Sequence, residues 1–510
     1  MTQTDNDKPK PQTTSSERLG DVSNLNDGIR MPHPLVSLIP IAVLVAMMAL
    51  TISLFGGDAL GGGTQVSLLV ATAVCMCISM LKYKTTWKSF ERGITDTIAS
   101  AAVSLCILLM IGMMSATWMI SGIVPTMIYY GVQIMSPTFF LVSTCIICAV
   151  VSVMTGSSWT TIATIGVALI GIGTVLGIPA HWSAGAIISG AYFGDKVSPL
   201  SDTTVLASTV ADVNLFDHIR YMMRTTIPSM TIALAIFLVA GFFFSADGSV
   251  LVAEYTDGLS HTFHISPITF IVPVITGIMI AKRVPSLITL FASSILAGIM
   301  AMIMQPDVLR SIAETAPSDF MLLVKGTLIT LFTSTNVDTG SAAVNDLVST
   351  SGMAGMMDTI WLILCAMCFG GSMVASSMIH SLTILLIKGI RGTASLVSST
   401  VATGIIANIL TCDQYISIIL TASMYKDVYR QKGYEPRLLS RSTEDAATIT
   451  SVLIPWNSCG MTQSTVLGVP TLTYLPFCFY NLLSPVMSII ISTLMVKPQQ
   501  QTEPTAPPQS

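Results

Sequence analysis

The sequence contains a long series of apolar runs of about 20 residues, and these runs most strongly limit the folds that the chain can adopt. The first runs cover about 34–55 and 65–82, and an almost continuous apolar stretch extends from about 94 to 173. Of the 510 residues only 10% are charged and 52% are hydrophobic, whereas soluble domains carry about 25% charged residues. An apolar run of about 20 residues is long enough for a helix to cross a bilayer. The chain is therefore predicted to be an all-α polytopic membrane protein.

Composition also argues against several other classes of protein. The formal net charge is −4 and the basic residues lie in short loops, so nothing supports a nucleic-acid partner. The ten cysteines are spread mostly through apolar runs, which is typical of buried thiols rather than of a disulfide framework. The sequence has no GxSxG or HExxH motif and no paired serine and histidine, so we expect no enzyme.

Several apolar stretches are interrupted by residues that break helices. Ser121-Gly122 and Ser136-Pro137 divide the first long stretch, and Gly370-Gly371 and residues 389–392 divide a second one. Non-helical backbone at membrane depth is tolerated only where it is buried or lines a wet cavity. We therefore expect about 11–13 transmembrane helices, some of them re-entrant or broken.

Charge and composition predict how the chain is divided and oriented. The loop 82–92 carries four Lys or Arg residues, so it and the N-terminus are predicted to be cytoplasmic. The predicted divisions are a disordered tail at 1–32, a membrane half with the first repeat at 33–304, a connector at 305–322, a membrane half with the second repeat at 323–496, and a disordered tail at 497–510.

Two pairs of short motifs indicate that the membrane region is duplicated. Residues 155–162 (TGSSWTTI) resemble 411–418 (TCDQYISI), at an offset of 256 (411 minus 155). Residues 201–206 (SDTTVL) resemble 462–467 (TQSTVL), at an offset of 261 (462 minus 201). Two matches in the same order predict a repeat with a small insertion.

The loops between the paired motifs predict that the two repeats have opposite topology. Residues 171–183 contain no Lys or Arg. The corresponding loop of the second copy carries five basic residues, so the two loops are expected on opposite sides of the membrane. Inverted repeats are the architecture of many secondary transporters, whose sites lie where the broken helices meet. The five residues are Lys426, Arg430, Lys432, Arg437 and Arg441.

The segment 190–207, GAYFGDKVSPLSDTTVLA, places ionisable and hydroxyl side chains in the predicted middle of the membrane. Ionisable groups are costly there and mark functional sites. We expect this segment to converge with three other polar stretches, at 155–161, 411–417 and 455–465. A symmetric pair of repeats in one chain argues against an ion channel with a four-fold pore loop.

The predicted site is rich in oxygen ligands, which hard cations prefer. A buried carboxyl group can also carry a proton, because desolvation can raise a carboxyl pKa by roughly 3–5 units. Cation and proton would then compete for the same oxygens. The predicted carboxylates are Asp195, Asp202 and Asp413, the predicted neutral ligands are Ser157, Ser158, Thr161, Ser198, Ser201, Thr203 and Asn457, and the predicted charge partner is Lys196.

Structural roles are alternatives for several of these residues. Asp195 and Lys196 can form an ion pair with no part in transport, and Asp202 can cap a half-helix. Asp413 can lie at a cavity rim. His218, in a basic loop, is interpreted as a solvated histidine rather than a pH sensor.

The segment 190–207 resembles the signature of the NhaC-type sodium/proton antiporter family, which is of the ion-transporter superfamily type. Residues 155–166 (TGSSWTTIATIG), 121–131 (SGIVPTMIYYG) and 217–219 also match the family. The resemblance covers most of the membrane region. The positions that it transfers are Asp195, Ser198, Ser201, Asp202 and Thr203.

The resemblance implies a multi-pass transporter of the bacterial plasma membrane that exchanges Na⁺ for H⁺ and serves sodium transport and pH homeostasis. Na⁺ would then bind at Asp195, Asp202 and Asp413. No cofactor is expected besides the transported ions, the lipid bilayer is the expected partner, and homodimer formation is left open. The alternative is coupled exchange of a small organic anion or amino acid, such as malate and lactate. The absence of arginine from the four polar stretches favours inorganic ions, and Arg441 is interpreted as a residue at the edge of a loop.

Overall fold

A computed structural model of the chain describes residues 31–55, 62–244 and 249–495. The predicted tails lie outside these residues, except for Met31 and Pro32. Within them, the regular structure is helical apart from one antiparallel bridge between Thr335 and Thr350. The first half contains α1 (Ile39–Phe55), α2 (Gly63–Tyr83), α3 (Trp87–Ile120), α4 (Ile123–Ile134), α5 (Pro137–Thr155), α6 (Ser158–Val175), α7 (Ala180–Val197), α8 (Asp202–Val210), α9 (Leu215–Gly241), α10 (Ser249–Thr262), α11 (Pro267–Ala281) and α12 (Ser286–Met304).

The second half is also helical. The predicted connector at 305–322 contains a short helix and the start of the next one. The helices are α13 (Pro306–Ala313), α14 (Asp319–Phe332), α15 (Ala342–Val348), α16 (Met357–Ala375), α17 (Met378–Lys388), α18 (Thr393–Thr411), α19 (Gln414–Gln431), α20 (Pro436–Thr443, continued by a π turn at Glu444–Thr448), α21 (Ser458–Leu467), α22 (Thr471–Phe477) and α23 (Phe479–Met495).

The helices are long and apolar enough for a multi-pass membrane protein. In the described ranges, nine helices satisfy the length and hydropathy of a membrane span, and eleven do if two bent pairs each count as one span. The bent pairs are α10 with α11, at 87°, and α22 with α23, at 58°. The predicted all-α polytopic class with broken helices is confirmed.

Two of the breaks coincide with left-handed backbone, and one predicted break is wrong. Gly122, with φ of 80°, separates α3 from α4, and Ser377, with φ of 57°, separates α16 from α17. Gly370-Gly371 lies inside α16 instead of ending it. A Cβ on Gly371 would lie 2.7 Å from the carbonyl oxygen of Gly93. The glycine pair therefore serves close packing against α3 and not a change of direction.

The helix boundaries show the duplication directly, at a constant offset of 256. Adding 256 to the bounds of α5 gives those of α18, and adding it to the bounds of α6 gives those of α19. It also carries the start of α7 onto the start of α20 and the start of α8 onto the start of α21. The offset of 261 and the small insertion predicted from residues 462–467 are therefore wrong, because helix starts pair Ser201 with Asn457.

The two copies contact each other reciprocally. Helix α8 of the first copy packs on α19, and its equivalent α21 packs on Ile162–Gly166 of α6, the equivalent of α19. The offset also carries the start of α9 onto the start of α22, and α9 packs on α23, which follows α22 after a bend. Such exchange of equivalent contacts is the property of a two-fold arrangement. It brings the broken ends of both copies into one region.

Small residues allow α7 and α5 of the first copy to approach each other closely. A Cβ on Gly190 of α7 would lie 2.1 Å from the carbonyl oxygen of Cys145 of α5. A Cβ on Gly194 would lie 2.4 Å from the carbonyl oxygen of Ala149. The backbone at the end of α7 is thus held directly against α5, which fixes the position of Asp195.

Candidate functional site

The start of α6 and the start of α19 are built in the same way. Gly156 and Cys412 take the left-handed conformation, with φ of 68° and 59°. The next residue caps the new helix: the Ser157 hydroxyl accepts from the Thr160 N–H at 3.2 Å, and the Asp413 carboxylate accepts from the Ile416 N–H at 3.0 Å. The same cap is therefore neutral in one copy and acidic in the other.

Hydroxyl groups hold both turns in the same pattern. The Thr161 hydroxyl donates to the Ser157 carbonyl at 2.9 Å, and the equivalent Ser417 hydroxyl donates to the Asp413 carbonyl at 2.7 Å. Thr155 accepts from the Ser157 N–H at 3.2 Å. Ser157 and Thr161 thus serve mainly to form the turn, with their oxygens directed to the backbone.

Asp195 is the buried carboxylate of the first copy. It lies near the end of α7 with 4% of its surface exposed. The Ser158 hydroxyl, from the first turn of α6, donates to Asp195 Oδ2 at 2.7 Å. Asp195 Oδ1 is buried without a hydrogen-bond partner, and no ion pair of the described residues includes Asp195. A carboxylate oxygen in that position is open to a cation or to a proton.

Asp202 lies beyond the break that follows Asp195, and it faces the second copy. It is the first residue of α8 and is exposed. The Tyr415 hydroxyl of α19 donates to Asp202 Oδ2 at 2.6 Å. Ser201, not Asp202, caps α8, accepting from the Thr204 N–H at 3.4 Å. Asp202 Oδ1 accepts from the Thr203 N–H at 2.9 Å, but the N-cap residue is Ser201, so the alternative of Asp202 as the N-cap is wrong.

Of the further predicted ligands, Ser198 fixes the backbone of this break and Thr203 reaches the second copy. The Ser198 hydroxyl donates to the Val153 carbonyl at 2.8 Å and accepts from the Leu200 N–H at 3.2 Å. Ser201 Oγ lies 2.9 Å from Thr203 Oγ1. The Thr203 hydroxyl donates at 3.3 Å to Glu444, a residue of the second copy.

The second copy supplies a separate set of contacts. Asp413 is buried, and its Oδ2 accepts from Ser458 at 3.5 Å. The Asn457 side chain accepts from the Cys459 N–H at 3.1 Å and donates to the Asn408 carbonyl at 3.1 Å. Asn457 thus caps α21 and ties it to α18. Asp413 is not at a cavity rim, as the alternative interpretation had it, because it is buried between helix ends.

The three predicted aspartates do not form one cluster. The described part of the chain contains no group of three or more His, Cys, Asp or Glu side chains that could hold a metal ion together. Asp195 and Asp202 both lie at the break between α7 and α8, but Asp195 is buried and Asp202 is exposed. Asp413 has its own partners on α19 and α21.

The partner of Lys196 is not its neighbour in sequence. The Lys196 ammonium pairs with Asp445, from the π turn after α20, and donates to Ser484 at 3.1 Å. Both charged side chains are completely buried. Thr225 of α9 also donates to Asp445, at 3.1 Å. The alternative of an Asp195–Lys196 pair is therefore wrong, because Lys196 extends across to the second copy.

Arg441 is a buried residue, which corrects its placement at a loop edge. Its guanidinium donates to Ser492, and its Nε lies 3.7 Å from Asp445 Oδ2. The guanidinium carbon lies 5.1 Å from the centre of the Tyr221 ring. Helix α20 begins at Pro436, so Arg441 lies in the helix, more than one turn after its start, and not in the preceding loop. A buried arginine is therefore present near the helix breaks, contrary to the expectation that favoured inorganic ions.

His218 is likewise buried and not solvated. Its Nδ1 lies 2.8 Å from the Ser440 hydroxyl, at the contact of α9 with α20. The helix α9 begins at Leu215, so its first turn faces α20 and not a loop.

Sequence reasoning missed Glu444 and Asp445. They follow Arg441 by three and four residues, a spacing that places all three on neighbouring positions of one helix. This acid–base spacing was the available signal. The four basic residues that precede Arg441 mask this signal, because they make the stretch resemble a basic loop.

A cavity extends from the surface to the turn between α5 and α6. It is lined by Thr155, Thr160 and Leu200 on one side and by Ile280 and residues 283–286 on the other. Arg283 lies at its exposed end, and Thr160 is buried. The Thr160 hydroxyl donates to Ser157 at 3.2 Å. The cavity therefore extends from the α11–α12 turn to Thr160, whose hydroxyl contacts Ser157.

Comparisons with known proteins agree with this architecture. A family model described as the Na⁺/H⁺ antiporter family matches residues 30–221 and 190–495. The chain is 34% identical over 425 residues to the Na⁺/H⁺ antiporter NhaC of Bacillus subtilis, covering 83% of this chain and 91% of that protein.

Two other relatives carry different names. The chain is 32% identical over 465 residues to the malate-2H⁺/Na⁺-lactate antiporter of Bacillus subtilis, covering 91% of this chain and 95% of that protein. It is 34% identical over 479 residues to the arginine/ornithine antiporter ArcD of Halobacterium salinarum, covering 92% and 95%. The matches extend over both repeats, and the chain belongs to the Na⁺/H⁺ antiporter family.

Proposed function

We propose that the protein exchanges Na⁺ for H⁺ across the bacterial plasma membrane, with its N-terminus in the cytoplasm. The observation that carries the proposal is Asp195, a buried carboxylate at a helix break with one oxygen bonded to Ser158 and the other without a partner. Membership of the family and the NhaC relative support Na⁺ and H⁺ as the substrates.

Asp195 binds Na⁺ and a proton in turn. An ionised carboxylate in a low-dielectric site costs several kcal/mol unless its charge is balanced. The Na⁺-loaded and the protonated forms are both electrically balanced, whereas the empty ionised form is not. The protein therefore changes readily between its inward and outward states only when the site holds Na⁺ or a proton. This requirement couples the movement of one ion to that of the other.

The neighbouring groups have supporting roles. Ser158 orients Asp195 by its 2.7 Å hydrogen bond. Asp202, exposed and bonded to Tyr415, attracts the cation to the break. Asp413 contributes negative charge from the second copy, where it also caps α19. Lys196 stabilises the empty site through the field of its pair with Asp445.

The cavity beside Arg283 is the cytoplasmic approach to the site. The turn that carries Lys282 and Arg283 is predicted to be cytoplasmic by its charge. From there the cavity reaches Thr160, three residues from Ser157 and two from Ser158. Movement of one copy against the other, about the contacts of α9 with α23, exposes Asp195 to the opposite side.

The test is transport by the purified full chain in proteoliposomes that contain a pH-sensitive dye. Na⁺, Li⁺, K⁺, malate and lactate are offered separately after a pH jump. Proton movement driven by Na⁺ and not by malate or lactate is the expected result. Proton movement that requires an organic acid would contradict the proposal.

Exchange of a small organic ion is the second candidate, and buried Arg441 is the observation that favours it. A carboxylate substrate needs a guanidinium or a helix N-terminus. Arg441 Nη1 has no hydrogen-bond partner. Its other contacts, with Ser492, Asp445 and Tyr221, are internal. Stabilisation by malate, lactate or arginine in the presence of Na⁺, measured as a thermal shift, would support this candidate over the first.

A further inference from the structure

Glu444 is a buried carboxyl group without a direct counter-charge. It is the first residue of the π turn after α20, and its side chain is completely buried. Thr203 donates to Oε1 at 3.3 Å, while Oε2 has no hydrogen-bond partner. The ion pairs found in the described ranges include Asp445 but not Glu444. A carboxyl in these surroundings must be protonated or balanced by charge that is not in contact with it.

The surrounding charges leave both the protonated and the ionised state of Glu444 accessible. Lys196 and Arg441 are two cations that share the single anion Asp445. This trio therefore carries one surplus positive charge, which favours ionised Glu444, whereas burial opposes it. The ionisable groups on the elements packed around Glu444 are Lys196 and Asp195 of α7, Asp202 of α8, Tyr415 of α19, Tyr480 of α23, and Arg441 and Asp445 on either side of it.

Glu444 is also connected to the break that holds Asp195. Its donor Thr203 lies one residue after Asp202 and 2.9 Å from Ser201. Asp195 and Glu444 are thus two buried carboxyls that reach the same break from opposite copies. The position equivalent to Glu444 in the first copy, 256 residues earlier, is Ile188. The acid is therefore not required by the shared helical scaffold, and a single-turn π bulge is a common feature of functional sites.

We infer that Glu444 is a second proton carrier of the transport cycle. The inference rests on the proposed exchange of Na⁺ for H⁺ at Asp195. The ionised carboxylate takes up one proton from one side and releases it to the other. Each cycle then carries one proton more than Asp195 alone can exchange.

The test uses the full chain in proteoliposomes with Glu444→Gln, which keeps the shape but cannot ionise. The control is Asp427→Asn, which removes an exposed acid from α19. Two quantities are measured: exchange of radioactive Na⁺ against unlabelled Na⁺, and the number of protons moved per Na⁺, from the reversal potential. For Glu444→Gln we expect Na⁺ self-exchange comparable to the unaltered protein and a ratio lower by one proton. The control should change neither quantity.

An unchanged proton ratio in Glu444→Gln would overturn the inference, and so would loss of both fluxes in a variant that still elutes as a folded protein. Glu444→Asp gives a second test, because it keeps a carboxyl that can carry a proton. This variant should keep the native proton ratio, and a ratio lower by one proton contradicts the inference. Persistent Na⁺/H⁺ exchange in Asp195→Asn would instead refute the proposed function, which separates the two failures.

Discussion

The Lys196 ammonium pairs with the Asp445 carboxylate, and these two residues come from different copies of the repeat. Both side chains are buried, with Ser484 and Thr225 completing the hydrogen bonds. The pair joins α7, which carries Asp195, to the π turn that carries Glu444. An ion pair therefore joins the two copies near the helix breaks.

Asp445→Asn should destabilise the protein more than Lys196→Met. The first change leaves Lys196 and Arg441 buried without their shared anion, and breaking a buried pair in this way costs about 3–5 kcal/mol. The second change leaves Asp445 with Arg441 as a remaining counter-charge. Thermal unfolding in detergent measures the difference. Equal melting temperatures for the unaltered protein and Asp445→Asn would show that the pair contributes nothing.

Substitutions at Asp413 should separate its cap from its charge. Asp413→Ala removes the cap of α19 and should cost about 1 kcal/mol of stability. Asp413→Ser should keep that stability, because Ser157 caps α6 in the same way at the equivalent position. If the charge of Asp413 takes part in Na⁺ binding, both variants should bind Na⁺ more weakly in transport assays. Normal Na⁺ affinity in Asp413→Ser would show that the carboxylate is only a cap.

The contact of α7 with α5 should tolerate no side chain at Gly194. A Cβ there would lie 2.4 Å from the Ala149 carbonyl oxygen and 2.5 Å from the Ser152 Cβ. Gly194→Ala should therefore cost about 1–3 kcal/mol through overpacking. Gly277→Ala is the matched control, since a Cβ at this helical position meets nothing within 4 Å. A melting temperature of Gly194→Ala equal to that of the control would contradict the close packing.

The sequence predicted the helical class and the duplication because both depend on patterns that are local. Apolar runs give the membrane helices, and the turn at Thr155 repeats visibly at Thr411. The position of the second pair was wrong by five residues, since SDTTVL and TQSTVL resemble each other without being equivalent. The helix starts show that Ser201 and Asn457 are equivalent. The two residues differ in type, but each caps the N-terminus of its helix.

The charge network could not be predicted, because its partners are distant in sequence. Lys196 and Asp445 are 249 residues apart. Asp195 is adjacent to Lys196 in the sequence and is therefore the partner that the sequence suggests. Arg441 and His218 lie in stretches with several basic residues, so composition placed them in solvent. Only the packing of α20 against α9 and α23 shows that these side chains are buried.

The most direct test of the proposed exchange is the Na⁺-driven proton flux of Asp195→Asn in proteoliposomes, compared with Asp427→Asn. Asparagine retains an oxygen for the Ser158 hydroxyl but can neither carry a proton nor balance the charge of Na⁺. Asp195→Asn should therefore reduce the flux to that of protein-free vesicles, while Asp427→Asn keeps the native rate. A native rate of exchange in Asp195→Asn would contradict the assignment of Asp195 as the shared site of the two ions.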